Sequence, residues 1–436
     1  MANISVSSAP VETTAAVGEQ KSYTGPLAVV TTLFFMWGFL TCLNDILVPH
    51  LKSIFDLNYA RVMLIQFAFF GAYFIFSIPS ARIVDLIGYQ RSMVLGLLTM
   101  GLGAFLFVPA ASVPSYPLFL GALIVLAAGI TCLQVAANPY VTVLGKPETA
   151  SSRLNLTQAF NSLGTFLAPF FGGILILSAA PKAMNEIRAM APDALQAYRL
   201  HEAATVKTPY VGLGIALVLL AIAIGSFKLP KIEHAQRKVG EKVNDSIWSH
   251  PSLIFGAIAI FVYVGAEVSI GSFLVNYFSQ PEIGGLTERV AASFVAFYWG
   301  GAMVGRFIGS GLLQKVSTRK LLGVCAVCAA ALVGISMLSS GHLAMWTIIL
   351  VGFFNSIMFP SIFTLGVAEL GPLTGDGSGI MIMAIVGGAI IPLAQGWIAD
   401  KIGIHHAFFL PVICYLYILF FALSGSKPNS QRLSKA

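Results

Sequence analysis

Apolar runs of about 20 residues, the length that crosses a bilayer as a helix, recur along the whole chain. They lie near 26–49, 60–82, 92–110, 116–142, 154–178, 209–227, 251–278, 290–312, 321–339, 342–366, 378–398 and 405–424. Short polar stretches separate them, and the tightest separation is Ser340-Gly341. The pattern predicts an all-α membrane protein with twelve transmembrane helices. Two loops are longer. Residues 179–208 carry a helical pattern around Ala183 to Ala204, and the basic segment 228–250 falls at the midpoint of the chain.

That midpoint divides the chain into two halves of six spans, and a weak internal repeat supports the division. Pro139-Tyr-Val-Thr-Val-Leu-Gly145 in span 4 is echoed by Pro360-Ser-Ile-Phe-Thr-Leu-Gly366 in span 10. Leu163-Gly-Thr-Phe-Leu-Ala-Pro169 with Gly173 in span 5 is echoed by Val386-Gly-Gly-Ala-Ile-Ile-Pro392 with Gly396 in span 11. The expected organisation is a flexible tail at 1–24, a six-helix half at 25–227, a linker at 228–250, a second half at 251–424 and a tail at 425–436. No cleavable signal is apparent in the first residues, so span 1 is expected to stay in the protein.

Composition agrees with lipid as the solvent. Of the 436 residues, 57% are hydrophobic and 10% charged, against roughly 25% charged in a soluble domain. A soluble globule and a disordered chain are both excluded. The net charge of +7 has no basic stripe with interleaved aromatics, which argues against nucleic acid. Placing the N-terminus in the cytoplasm gives the inner segments twice the Lys and Arg of the outer ones, as the positive-inside rule requires. The expectation is therefore a multi-pass membrane protein with both termini cytoplasmic. Cys325-x-x-Cys328 has no second pair and no nearby His, so it reads as packing.

An ionisable group inside a span is costly and marks function by default. Only two acids fall within spans, Asp45 in span 1 and Glu267 in span 7. Either suits the binding of a proton, or of Na+ through carboxylate and amide oxygens. The bland reading is a neutral carboxyl bonded between helices. Gln134 and Asn138 share one helix face in span 4, and Asn155, Gln158 and Asn161 form a stripe in span 5. Asn44, Asn276 and Asn355 add amides, with Tyr277 and Trp299 as candidate stacking surfaces. Amides donate and accept, as sugar hydroxyls require; singly, each is as well explained as interhelical glue. Arg306, the one cation within a span, lies near the inner end of span 8 and is expected to snorkel and serve as a gate or structural pair. Asp85 and Arg91, in the loop Ala81-Arg-Ile-Val-Asp-Leu-Ile-Gly-Tyr-Gln-Arg91, are further gate candidates. No acid, base or metal constellation for an enzyme is found, the His residues lying in loops or at span ends.

Leu33-Phe-Phe-Met-Trp-Gly-Phe-Leu-Thr-Cys-Leu-Asn-Asp-Ile-Leu-Val-Pro49, Ala136-Ala-Asn-Pro-Tyr-Val-Thr-Val-Leu-Gly145 and Arg153-Leu-Asn-Leu-Thr-Gln-Ala-Phe-Asn-Ser-Leu-Gly164 resemble the fucose:proton symporter family of the major facilitator superfamily. Tyr263-Val-Gly-Ala-Glu-Val and Gly305-Arg-Phe fit the second half. The resemblance implies the major facilitator fold and sugar transport, usually with H+ and in some members with Na+. It makes Asp45 the essential acid of helix 1, and Gln158 and Asn161 sugar-cavity positions. Gln134 departs from the fucose symporter, which has Glu there, while Glu267 stands where that symporter has Gln. On both counts the chain is similar to the family's glucose/galactose porters. The expected function is hexose import across a bacterial inner membrane coupled to a proton, by a monomer with no cofactor and no resident metal. The alternatives are Na+ coupling, a related sugar such as fucose, mannose or N-acetylglucosamine, or a transporter-like sugar sensor.

Overall fold

The computed structural model describes residues 23–55, 59–113, 115–175, 190–205, 207–230 and 245–427; the side chains at 43–55, 59–64, 66, 169–175, 202, 203 and 205 fall outside that description. The helices are α1 (Thr24–Phe55), α2 (Tyr59–Ile87), α3 (Tyr89–Ser112), α4 (Tyr116–Val143), α5 (Ala150–Leu175), α6 (Pro192–Thr205) and α7 (Lys207–Ser226). They continue with α8 (Pro251–Phe278), α9 (Glu288–Leu312), α10 (Thr318–Leu338), α11 (Gly341–Gly366), α12 (Gly371–Ile402) and α13 (Ile404–Gly425). Among the described residues eleven of these are long and apolar enough to cross a membrane. The more polar α5 is the twelfth span, and the short α6 lies between α5 and α7. Twelve membrane helices therefore stand as two sets of six, α1–α5 with α7, and α8–α13.

Helices are the economical answer to lipid, because each satisfies its own backbone where no water can. The close division between spans 9 and 10 holds: α10 ends at Leu338, and Gly341 opens α11 in the left-handed region (φ +61°) that favours glycine. Among the described residues, the interrupted spans are in the second half. α11 breaks between Asn355 and Met358, ahead of Pro360, and α12 passes through a 3-10 turn at Ala384–Val386. The last-turn carbonyls of α4 and the loop after it are capped by Arg153, which donates to Val141 O, Thr142 O and Lys146 O. Arg319 does the same for α13 at Ala422 O and Leu423 O.

The same crossing is built in each half. α1 meets α5 where a methyl on Gly38 would run into Asn161 O, and one on Gly164 into Phe35 O. α8 meets α12 where a methyl on Gly265 would run into Ile391, and one on Gly387 into Phe261 O. Small residues let backbones approach this closely, which is how helices associate when lipid offers no hydrophobic drive. Spans 1 and 5 thus pair as spans 7 and 11 do, as expected of two repeats.

We expect Gly387→Val to overpack the α8–α12 crossing, at a cost of about 1–3 kcal/mol. Its apparent thermal unfolding midpoint in detergent should fall below that of the parent chain. Gly121→Ala, where a methyl meets nothing within 4 Å, should leave the midpoint in place.

Candidate substrate and coupling site

The amides of α4 and α5 divide into those that hold helices and those with capacity to spare. Gln134 Nε2 donates to Tyr73 OH of α2 at 2.7 Å. Asn161 Nδ2 donates to Phe34 O of α1 at 2.9 Å, inside the glycine crossing. Asn155 Nδ2 donates across to the second half, to Arg306 O at 2.7 Å. Asn138, one turn beyond Gln134, is fully buried, and among the described residues neither of its amide atoms has a hydrogen-bond partner. A buried amide left wholly unpaired is rare and asks for a ligand or a water. Gln158 is buried beside this stripe.

In the second half a polar network surrounds Glu267. The Tyr263 hydroxyl lies 2.8 Å from Glu267 Oε1 and 3.1 Å from Asn355 O, so one proton serves two acceptors. Asn355 Nδ2 donates to Tyr298 OH at 2.8 Å, and that hydroxyl lies 3.4 Å from the Glu267 carbonyl oxygen. Arg306 Nη2 stands 4.0 Å from Glu267 Oε1. The same guanidinium donates from Nε to Ser356 O at 3.2 Å, and from Nη1 to Ser162 Oγ and, at 3.5 Å, to Gln158 O. Arg306 therefore does not snorkel. Its side chain is 12% exposed and is bound by oxygens from both halves.

One of those oxygens is freed by a proline, and the first half holds its counterpart. Proline has no N–H, so the carbonyl four residues before it loses its helical donor. Pro360 frees Ser356 O, which takes Arg306. The matching Pro139 frees Val135 O, which takes Ser378 Oγ of α12 at 3.0 Å. The repeat seen in the sequence is thus a repeated acceptor, filled each time by a donor from a different helix.

Further bonds join the halves toward the face that carries both chain ends. Ser151 Oγ and Thr364 Oγ1 are 2.6 Å apart, Thr318 Oγ1 donates to Ser151 Oγ at 2.9 Å, and Ser152 Oγ donates to Ser310 O at 2.6 Å. The Asp85 carboxyl sits against Gly375, where α12 begins its helical turn from Thr374. Ser77 and Ala81 pack on Gly379 one turn further in. Arg91 is exposed. Among the described residues, these bonds place the closed seam between mid-membrane and the terminal face.

The other candidates lie apart. Asn44 and Asp45 are on α1, with side chains outside the described residues. Asn276 is exposed. Tyr277 donates to Ser336 and packs its ring on Phe408 and His405, away from Glu267. Trp299 is 40% exposed and edges Tyr298. An apolar groove of about 830 Å³ between α1, α5 and α7, walled by residues such as Leu27, Phe35, Phe160 and Leu219, includes none of the candidates. Sequence reasoning passed over Tyr73, Ser151, Ser162 and Ser378. For Ser378 a signal existed in the repeated prolines; for the small hydroxyls there was none, since Ser and Thr bond their own helix as readily as a neighbour.

Twelve membrane helices in two matched halves, closed on one face around buried amides and a carboxyl, define a membrane transporter and not an enzyme. The chain belongs to the Major Facilitator Superfamily, whose family model matches residues 29–385. A glucose/galactose transporter of Brucella abortus is 55% identical over 94% of this chain and 96% of its own length. The L-fucose-proton symporter of Escherichia coli is 37% identical over 93% and 94%. A crystal structure of the transporter FucP in the outward conformation superposes with a TM-score of 0.86 at 35% identity, covering 93% of this chain and 99% of that one. The resemblance read from the motifs is borne out, and identity is higher to the glucose/galactose transporter than to the fucose symporter.

Ser151→Cys combined with Thr364→Cys should form a disulfide across the seam on mild oxidation. Uptake by the double variant should then stop, and should return on reduction. Uptake unaffected by complete cross-linking would show that the seam need not open.

Proposed function

We propose that this protein imports a hexose, glucose or galactose, together with a proton, by alternating access across a bacterial inner membrane. On this reading the termini and the 228–250 linker are cytoplasmic, the seam through Arg306 is the cytoplasmic gate, and one chain suffices. Sugar is held by Gln134, Asn138, Gln158 and Asn161 from one half, and reached from the other by the network around Asn355. Asp45 and Glu267 carry the coupling charge.

The observation that carries the reading is a largely enclosed carboxyl, Glu267, 13% exposed, placed beside the residue that bonds the two halves. A transport cycle needs that adjacency, because charge at the site has to govern which face is closed. The donor set favours a proton over Na+. A guanidinium 4.0 Å from Glu267 opposes any added positive charge, but a proton bonds to the carboxyl alone, whereas Na+ needs a shell of further oxygens. The unpaired Asn138 amide supplies what a hydroxyl-rich ligand needs. The names of the relatives support the choice of hexose and of H+.

The decisive test is uptake of radiolabelled glucose and galactose in proteoliposomes under an imposed pH gradient and, separately, a Na+ gradient. Accumulation driven by the pH gradient alone is expected. Accumulation driven only by Na+ would overturn the proton, and equilibration without accumulation would overturn coupling altogether. Asp45→Asn should abolish uphill accumulation while leaving counterflow exchange. Gln158→Ala should weaken sugar binding by about tenfold, the scale of one lost polar contact, in a direct binding measurement on purified protein.

A further inference from the structure

We propose that Arg306 is the transducer of coupling: a latch between the halves whose hold on α5 depends on the charge of Glu267. This rests on the reading that Glu267 gains and loses a proton in the cycle. A guanidinium is a lasting cation, and the Arg306 side chain is only 12% exposed. Its bonded ligands are neutral oxygens: Ser356 O from α11, and Gln158 O and Ser162 Oγ from α5. Glu267 is the one carboxylate paired with it among the described residues. Among the described residues, the ionisable groups facing that carboxyl are Tyr263 on its own helix, Arg306 and Tyr298 from α9, and Tyr415 from α13. The tyrosines carry no charge to substitute for it.

The consequence follows from the cost of an unanswered charge that is largely shut off from water. With Glu267 ionised, the guanidinium is neutralised and its bonds to α5 keep the terminal face shut. A proton on Glu267 removes the counter-charge and leaves a cation among neutral oxygens, a strongly unfavourable arrangement. Parting of α9 from α5 relieves it by admitting water. Protonation therefore unlocks the terminal face. The small hydroxyl of Ser162 is the latch's catch, and the freed carbonyl of Ser356 is its hinge on the other half.

The test reads gate opening directly and needs no sugar. In the full chain, with Cys42, Cys132, Cys325, Cys328 and Cys414 replaced by alanine, Thr364→Cys places a thiol in the seam. Its maleimide labelling in nanodiscs is measured against pH, each rate divided by that of the SDS-unfolded protein at the same pH. Labelling should accelerate about tenfold as pH falls, within the usual range of coupling between sites. Added to that background, Glu267→Gln should label fast at every pH. Glu267→Gln with Arg306→Gln, which strands no charge, should label more slowly than Glu267→Gln alone. Arg306→Lys, which keeps the charge without the fork, should raise the rate at high pH. A pH response that persists in Glu267→Gln, or a double variant as open as Glu267→Gln, overturns the latch. If Glu267→Gln loses uphill accumulation yet keeps the pH response, Glu267 still couples and only the latch falls; if it accumulates sugar normally, the coupling role of Glu267 falls with it.

Discussion

A guanidinium inside the hydrocarbon layer has to be answered by oxygen, and Arg306 takes its oxygens from both halves of the molecule. That requirement organises the centre of the protein. It draws Ser162 and Gln158 of α5 against α9, and it uses the carbonyl that Pro360 leaves open on α11. It also accounts for an acid on α8, the first helix past the chain's midpoint, since Glu267 is the counter-charge. In water these contacts would be worth little; where nothing else can solvate the charge they decide how the two halves meet.

The two halves share a scaffold and differ in their charge. Both cross their first and fifth helices through facing glycines, and both carry a proline that opens a carbonyl in the fourth. Yet the carbonyl opened by Pro139 takes a neutral serine hydroxyl, and the one opened by Pro360 takes a cation. The repeated frame is the same in both halves, and the side chains placed against equivalent acceptors make one half the carrier of the charged network.

Much of this was legible beforehand. Apolar runs of membrane length read directly as spans, and the narrow divide at Ser340-Gly341 held because Gly341 adopts a backbone that other residues resist. Gln134 and Asn138 fell on one face as their spacing required. What spacing could not reveal was which neighbour each face meets. Asn161 turns to α1 because Gly38 lets the backbones touch there, and Tyr277 turns to Ser336 and Phe408. Arg306 read as a snorkelling residue because its position near a helix end allows it. The alternative depended on a proline 54 residues further along, whose carbonyl only folding brings into reach.

The acceptor opened by Pro139 has one more implication. When the halves separate, Ser378 withdraws from Val135 O, and no amide of α4 can take its place because the nitrogen at Pro139 carries no hydrogen. Only water can then serve that carbonyl. The vestibule that opens on the terminal face must be wet to the depth of Val135, so gating in this protein is also a hydration event, one that osmotic stress would bias toward the closed seam.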